Sequence, residues 1–358
     1  MLKKISAGLI GGFTFASAFA QDSVKTAAPT PSTTFTYSVD GYYRVDFAGQ
    51  VLNNKTSFTN SNNSFELGMA SVRVDHSFGK VAATVDVGFG RRTNEFSYND
   101  DGALTAIKQA YVSYAPSSKI KFTLGKWATH VGYEVLDAYA NRNYSMDYMF
   151  SYGPFFHTGL KADITLGKKS AFMVGVANPC DLTSTTSSTK AFIAQFSTAT
   201  KDDKLKLFVN FMGHGGVSSV QSLTPYYTLY KSLSQFDAVI NYTVSSKFSL
   251  GYNGTIQTIN DGDSKSWYGS ALYLNYDPTS KFGLTLRGEY FDDNKGIKFT
   301  GGAKITDFTL SGNIKIDDHL TIIPEIRLDN ADNKIFLDKN GASTQGSGSF
   351  LIAAVYKF

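Results

Sequence analysis

The chain has 358 residues, of which 42% are hydrophobic and 18% are charged, and its formal net charge is +4. A charge this close to balance argues against a nucleic-acid-binding protein. Cys180 is the single cysteine, which excludes an intramolecular disulfide. After the N-terminal segment no run of about 18 apolar residues occurs, so the sequence predicts no transmembrane helix.

The N-terminal segment has the order of a secretory signal. Lys3 and Lys4 precede a short apolar stretch, and small residues follow it. This order predicts a signal peptide over residues 1–20, removed on export. Residues 21–33 are rich in Thr, Ser, Pro and Ala, which predicts a flexible lead-in.

From residue 34 to the end of the chain, segments in which every second residue is hydrophobic recur again and again. The segments at 81–89 (VAATVDVGF), 160–166 (LKADITL) and 236–244 (FDAVINYTV) are clear examples. A period of two is typical of a β-strand with one apolar and one polar face. Strands of about ten residues are long enough to cross a bilayer when tilted.

Tight turns and longer polar connections alternate between these strands. Seven turns and eight long connections predict an all-β fold over residues 34–358: a closed antiparallel up-and-down transmembrane β-barrel of about 16 strands, with 14 or 18 as alternatives. A soluble β-sandwich lectin is the rival fold. The turns lie near Gly79, Ser117, Lys168, Asp202, Ser246, Thr279 and Asp318, and the long connections near 49–64, 91–104, 128–157, 178–190, 213–235, 254–266, 291–306 and 329–348.

The C-terminal segment GSFLIAAVYKF carries the same alternation to its end. Its apolar face includes Phe350, Ile352, Tyr356 and Phe358. In a barrel this strand pairs with the first strand and presents that face to lipid. The pattern, ending on phenylalanine, resembles the assembly signal of outer-membrane barrels.

The segment 125–160 resembles the putative beta-barrel porin family of the OmpL-like type. The likeness extends less specifically over most of the mature chain. It implies an outer-membrane pore of undefined substrate, in a Gram-negative bacterium, and carries over no catalytic residue. The matching residues are Gly125, Lys126, Gly132, Glu134, Asn141, Asn143, Tyr144, Ser145, Pro154, Phe155, His157, Thr158 and Gly159.

If the apolar rows face lipid, the alternate charged residues line the lumen. Their signs nearly cancel, so the sequence indicates neither a ring of like charge nor a charge preference. The simplest interpretation is that they solvate the lumen and pair across strands. They are Arg44, Asp46, Arg73, Asp75, Asp86, Lys121, Lys161, Asp163, Lys206, Asp237, Arg287, Glu289, Lys315, Glu325 and Arg327.

The connection 128–156 is the longest one, joins the fifth and sixth strands, and is rich in aromatic residues. Such a loop is expected either to fold into the lumen as a constriction or to pack as a lid on the barrel rim. The candidate constriction residues are Glu134, Asp137, Asn141, Arg142, Asn143, Tyr144 and Asp147.

These features predict a porin for passive diffusion of small hydrophilic solutes, without an enzymatic activity, a cofactor or a metal. His130 and His157 flank the long loop and could approach each other, but no second pair at metal-ligand spacing supports a site. The alternative is a barrel-anchored surface adhesin or binding protein with a plugged lumen. Expected partners are outer-membrane lipids, periplasmic chaperones and the barrel-assembly machinery. A homotrimer of this chain is a further possibility.

Overall fold

The computed structural model describes residues 31–216, 231–298 and 300–358. The predicted signal peptide (1–20) and residues 21–30 of the predicted lead-in lie outside these ranges. The first strand begins at Ser32, so it takes in the last two residues assigned to the lead-in. No helix in the described ranges is long and apolar enough to cross a bilayer.

Sixteen strands of the described chain form one closed antiparallel barrel, in which neighbours along the chain pair and the last strand pairs with the first. The predicted fold is confirmed. The barrel strands are β1 (Ser32–Asp46), β2 (Ser64–Phe78), β3 (Val81–Phe89), β4 (Ile107–Ser117), β5 (Ile120–Ala128), β6 (Phe156–Thr165), β7 (Ser170–Ala177), β8 (Ala191–Ala199), β9 (Leu205–Gly215), β10 (Ser232–Thr243), β11 (Phe248–Asn260), β12 (Ser264–Thr279), β13 (Phe282–Asp292), β14 (Lys304–Lys315), β15 (Leu320–Ala331) and β18 (Gly346–Lys357).

The remaining elements are short and belong to the connections that leave the strands at one end of the barrel, which we call the loop end. The opposite end, where the tight turns, Ser32 and Lys357 lie, is the turn end. The elements within these connections are the helices α1 (Arg91–Phe96) and α2 (Tyr148–Tyr152), the 3-10 turns Val51–Asn53, Gly102–Ala106 and Ala138–Ala140, and a hairpin of β16 (Phe336–Leu337) and β17 (Ser343–Thr344).

One predicted connection is wrong. The polar stretch 254–266 is not a long loop, because β11 continues to Asn260 and β12 begins at Ser264. The two strands form a ribbon, in which the hydroxyls of Thr258 and Ser266 lie 2.8 Å apart. Gly262 has a φ of 135°, which only glycine adopts readily, and closes the turn. The polar residues of this stretch therefore belong to two paired strands and not to a long loop.

The apolar rows face outward, as the alternation predicts. On β3, Val81, Val85 and Phe89 are exposed, whereas the intervening Thr84 and Asp86 are buried inside. In water such an exposed apolar surface is unfavourable, but against acyl chains it is the expected outer face of a membrane barrel. Aromatic side chains near strand ends are among the exposed outer side chains, as in the aromatic girdles of membrane barrels: Phe78, Tyr114, Tyr276, Phe282, Tyr290 and Phe308.

The seam between β1 and β18 leaves no open edge. The ladder pairs Ser38 with Lys357 through Asp46 with Ser349. At its end the amides of Tyr37 and Phe358 each donate to the other residue's carbonyl, at 2.8 and 3.0 Å. The rings of Tyr37 and Phe358 stack with their centroids 4.8 Å apart. Closure satisfies the backbone groups that an open edge would present to hydrocarbon.

The buried core lies inside the barrel. One apolar cluster joins Tyr148 and Met149 of α2 to Trp267, Tyr273 and Phe291 of the inner wall. This packing sets the position of the longest connection.

Candidate functional site: a loop held inside the barrel

Residues 129–155, between β5 and β6, form the longest connection in the described chain, and we call them the inner loop. The inner loop runs inside the barrel and touches inward side chains of both walls. The hydroxyl of Tyr144 donates to Asp40 of β1 at 2.5 Å, and the amide of Gly132 donates to Asp237 of β10 at 3.1 Å. The loop therefore spans the lumen and is not a lid on the rim.

Three carboxylates of the barrel wall hold the backbone of the inner loop. Asp237 accepts from the amide of Gly132 and from two asparagine side chains. Glu289 accepts from the amides of Tyr148 and Met149, at 2.8 and 2.9 Å. Glu325 accepts from the amides of Tyr144 and Ser145, at 2.8 and 3.1 Å. Charge-assisted bonds of this kind are stronger than neutral ones and restrict the loop to one path.

A buried ion-pair network lies beneath these contacts. Arg287 of β13 bonds Glu134 of the inner loop at 2.7 Å and Asp307 of β14 at 2.9 Å. Arg327 of β15 bonds Asp329 at 2.9 Å and donates to the carbonyl of Met146 at 2.7 Å. Burial of charge is costly unless every group is paired and hydrogen-bonded, a condition that this network largely meets.

Glu134 and Asp147 form the acidic centre of the inner loop. Glu134 accepts from the amide of Asp147 at 2.8 Å, and Asp147 caps α2 by accepting from the amide of Phe150 at 2.6 Å. Burial raises the pKa of Glu134 to about 8, with the neighbouring charge of Asp147 adding to the rise and Arg287 opposing it. Burial also raises the pKa of Asp147. The pair therefore holds more protons near neutral pH than two exposed carboxyls would.

The predicted constriction residues all lie on the inner loop, in two environments. Glu134, Asn143, Tyr144 and Asp147 are buried against the wall. The other three are partly exposed. Arg142 forms an ion pair with Asp277 of β12 at 2.6 Å, and Asp137 forms one with Lys108 of β4 at 2.5 Å. Asn141 forms hydrogen bonds with the backbone of Val135.

The predicted lumen charges lie on the inward register, opposite to the exposed apolar rows. Burial divides them into two groups. Arg44, Asp46, Asp86, Asp237, Arg287, Glu289, Glu325 and Arg327 are buried, whereas Arg73, Asp75, Lys121, Lys161, Asp163, Lys206 and Lys315 keep partial or full exposure.

Several buried charges of the site are missing from the sequence-based list. Asp307 and Asp329 complete the arginine network, and Lys108 bonds both Asp86 and Asp137. Asp307 and Asp329 could have been found by continuing the alternation of β14 and β15.

Two histidines at the end of the inner loop do approach each other, since the ring centroids of His130 on the inner loop and His157 on β6 lie 5.1 Å apart. Within the described ranges no group of three metal-ligating side chains forms.

A closed barrel with an apolar exterior, a polar interior and a loop folded into its lumen defines the class of outer-membrane β-barrel channels. A family model, Putative beta-barrel porin-2, OmpL-like, matches residues 32–358. The chain belongs to this porin family, as its central segment predicted.

Solved structures of outer-membrane channels share the fold at low sequence identity. The outer membrane channel DcaP of Acinetobacter baumannii is 11% identical with a TM-score of 0.60, covering 93% of this chain and 99% of that one. A loop-deletion mutant of OmpT from Vibrio cholerae is 13% identical with a TM-score of 0.61, over 92% and 99%. An anion-selective porin from Comamonas acidovorans is 9% identical with a TM-score of 0.60, over 92% and 100%. No curated protein matches the sequence.

Proposed function

We propose that the chain is an outer-membrane porin through which small hydrophilic solutes diffuse passively, without chemical conversion. The observation that carries this proposal is the division of the barrel surface. Its outer face is apolar, whereas polar and charged inner side chains such as Arg73, Asp75 and Lys121 remain accessible at the turn end. Membership of the porin family supports the same function.

We further propose that the inner loop forms the constriction of this path. Its backbone is fixed by Asp237, Glu289 and Glu325, so it is held in one position inside the lumen. Its segment around Tyr139, Asn141 and Arg142 keeps partly exposed side chains. A rigid polar loop in a water-filled barrel limits the size of the solutes that pass.

Liposome swelling tests the diffusion proposal. Liposomes that contain the purified barrel should swell in small sugars and more slowly in larger ones. An adhesin that uses the barrel only as a membrane anchor, with a plugged lumen, would give no sugar flux. Absence of flux from a folded, heat-modifiable barrel would refute the porin function.

Single-channel conductance tests the constriction. Deletion of residues 138–150 removes much of the inner loop and should increase the conductance of the folded barrel. Deletion of residues 339–342, at the tip of the hairpin of β16 and β17, is the control and should leave it unchanged. An unaltered conductance after the first deletion would contradict the constriction.

The cellular setting follows from the same proposal. Export with removal of residues 1–20, and insertion by periplasmic chaperones and the barrel-assembly machinery, would deliver the chain to outer-membrane lipids. OmpT of Vibrio cholerae is described in a trimer form, which supports a homotrimer for this chain. Ile352 and Tyr356 lie exposed on the outer face of the last strand, a position that fits the predicted assembly signal.

A further inference from the structure

The inner loop changes the balance of charge that a solute meets in the lumen. Along the sequence the inward acids and bases nearly cancel. Asp237, Glu289 and Glu325 are nevertheless at most 3% exposed, and their oxygens accept hydrogen bonds from the inner loop. Glu134 is also buried, and its raised pKa, about 8, removes part of its negative charge near neutral pH. These acids are out of contact with a passing solute.

The accessible carboxylates of the inner wall are already paired. Asp75 bonds Arg73 at 2.7 Å, and Asp277 bonds Arg142 at 2.6 Å. Asp163 lies 3.5 Å from Lys121 and 3.4 Å from Lys161, so two lysines share one carboxylate. Each of these carboxylates has at least one basic partner. Because Asp163 is shared by two lysines, the basic side chains outnumber the carboxylates.

Further lysines face the lumen without a carboxylate partner. Lys206 on β9 and Lys315 on β14 form no ion pair within the described part of the chain, and both keep exposed surface. Lys357 on β18 lies with its Nζ 5.0 Å from the ring centroid of Tyr139, so its ammonium is directed at the inner loop. The surplus of positive charge is spread over opposite walls of the turn-end lumen.

We infer that the turn-end half of the lumen favours small anionic solutes, inorganic anions and carboxylates, over cations of similar size. This inference rests on the proposed porin function. An accessible surplus of lysines raises the local concentration of anions and lowers that of cations. Because the Debye length falls from about 10 Å at 0.1 M salt to about 3 Å at 1 M, the preference weakens as salt increases.

Reversal potentials in planar bilayers under a KCl gradient test the inference. The wild-type channel should pass chloride in preference to potassium, most strongly at low salt. The triple variant Lys121→Gln, Lys161→Gln, Lys206→Gln should lower the chloride-to-potassium permeability ratio about two- to threefold at low salt. Asp163→Asn should shift the ratio the other way, because it frees two lysines.

A matched variant separates lumen charge from net charge. Lys168→Gln, Lys201→Gln, Lys247→Gln removes the same charge from exposed turns outside the lumen and should change the ratio much less. A conducting wild-type channel that prefers potassium, or equal shifts in both triple variants, would overturn the inference while leaving the porin function intact. A folded barrel without conductance would refute the porin function itself.

Discussion

Glu134 shows how burial sets the chemistry of the inner loop. Its carboxyl lies against Arg287, yet the loss of hydration outweighs the attraction, and the pKa rises to about 8. A group whose pKa is higher in the folded protein than in the unfolded chain binds more protons when folded. Stability is therefore greatest below the unfolded pKa and falls as pH rises through the folded value.

We expect the wild-type barrel to lose stability between about pH 6 and pH 9, and Glu134→Gln to reduce this loss. The glutamine keeps an oxygen that accepts from the amide of Asp147 but has no proton to release. Urea unfolding from lipid vesicles at both pH values measures the slope. Asp181→Asn is the control, because burial raises the pKa of Asp181 only to about 6, below most of this window. A slope unchanged in Glu134→Gln would contradict the assignment.

The barrel strands depend on which face meets lipid. Val209 lies exposed on the outer face near the middle of β9, whereas Ser197 of the neighbouring β8 lies on the inward register. Arginine on the lipid face near the midplane costs about 2–4 kcal/mol, but in a polar lumen it keeps its hydration.

Val209→Arg should therefore lower the free energy of unfolding by about 2–4 kcal/mol, and Ser197→Arg by less than about 1 kcal/mol. Both free-energy changes can be measured by urea titration of the barrel in vesicles, with tryptophan fluorescence as the signal of unfolding. Equal costs for the two variants would mean that the outer face does not contact acyl chains.

The strands could be predicted because their signal is local. Alternation over 81–89 or 160–166 identifies both the strand and its lipid face. The count of tight turns and long connections gives a strand number of about 16, with 14 and 18 left open. The error at 254–266 has the same origin. There the strands extend as a ribbon of polar residues, so the apolar period that marks a strand is lost while the pairing continues.

The path of the inner loop could be predicted only as one of two alternatives. Its contacts join residues far apart in the chain, such as Gly132 with Asp237 and Tyr148 with Glu289. No local period encodes such pairs. The charge balance of the lumen depends on these contacts, because they decide which carboxylates are buried. A count of signs along the sequence therefore suggests a neutral wall where the accessible surface is basic.

Closure of the whole barrel depends on the seam between β1 and β18, which joins residues at opposite ends of the chain. Val39 and Tyr356 are direct partners across it, and both side chains lie on the outer face. Paired residues on adjacent strands lie about 4.5–5.5 Å apart at Cα, within the range that a disulfide spans.

In a Cys180→Ser background, Val39→Cys with Tyr356→Cys should form an intramolecular disulfide under mild oxidation, with conductance retained. Heat-denatured protein should then change its gel mobility on reduction. Val39→Cys with Leu272→Cys is the control, since β12 lies elsewhere in the barrel and should give no such link. Tyr356→Cys alone reports whether this position tolerates cysteine. Thiols that stay free in the conducting first variant would show that the two strands are not paired, and the barrel would be open along this line.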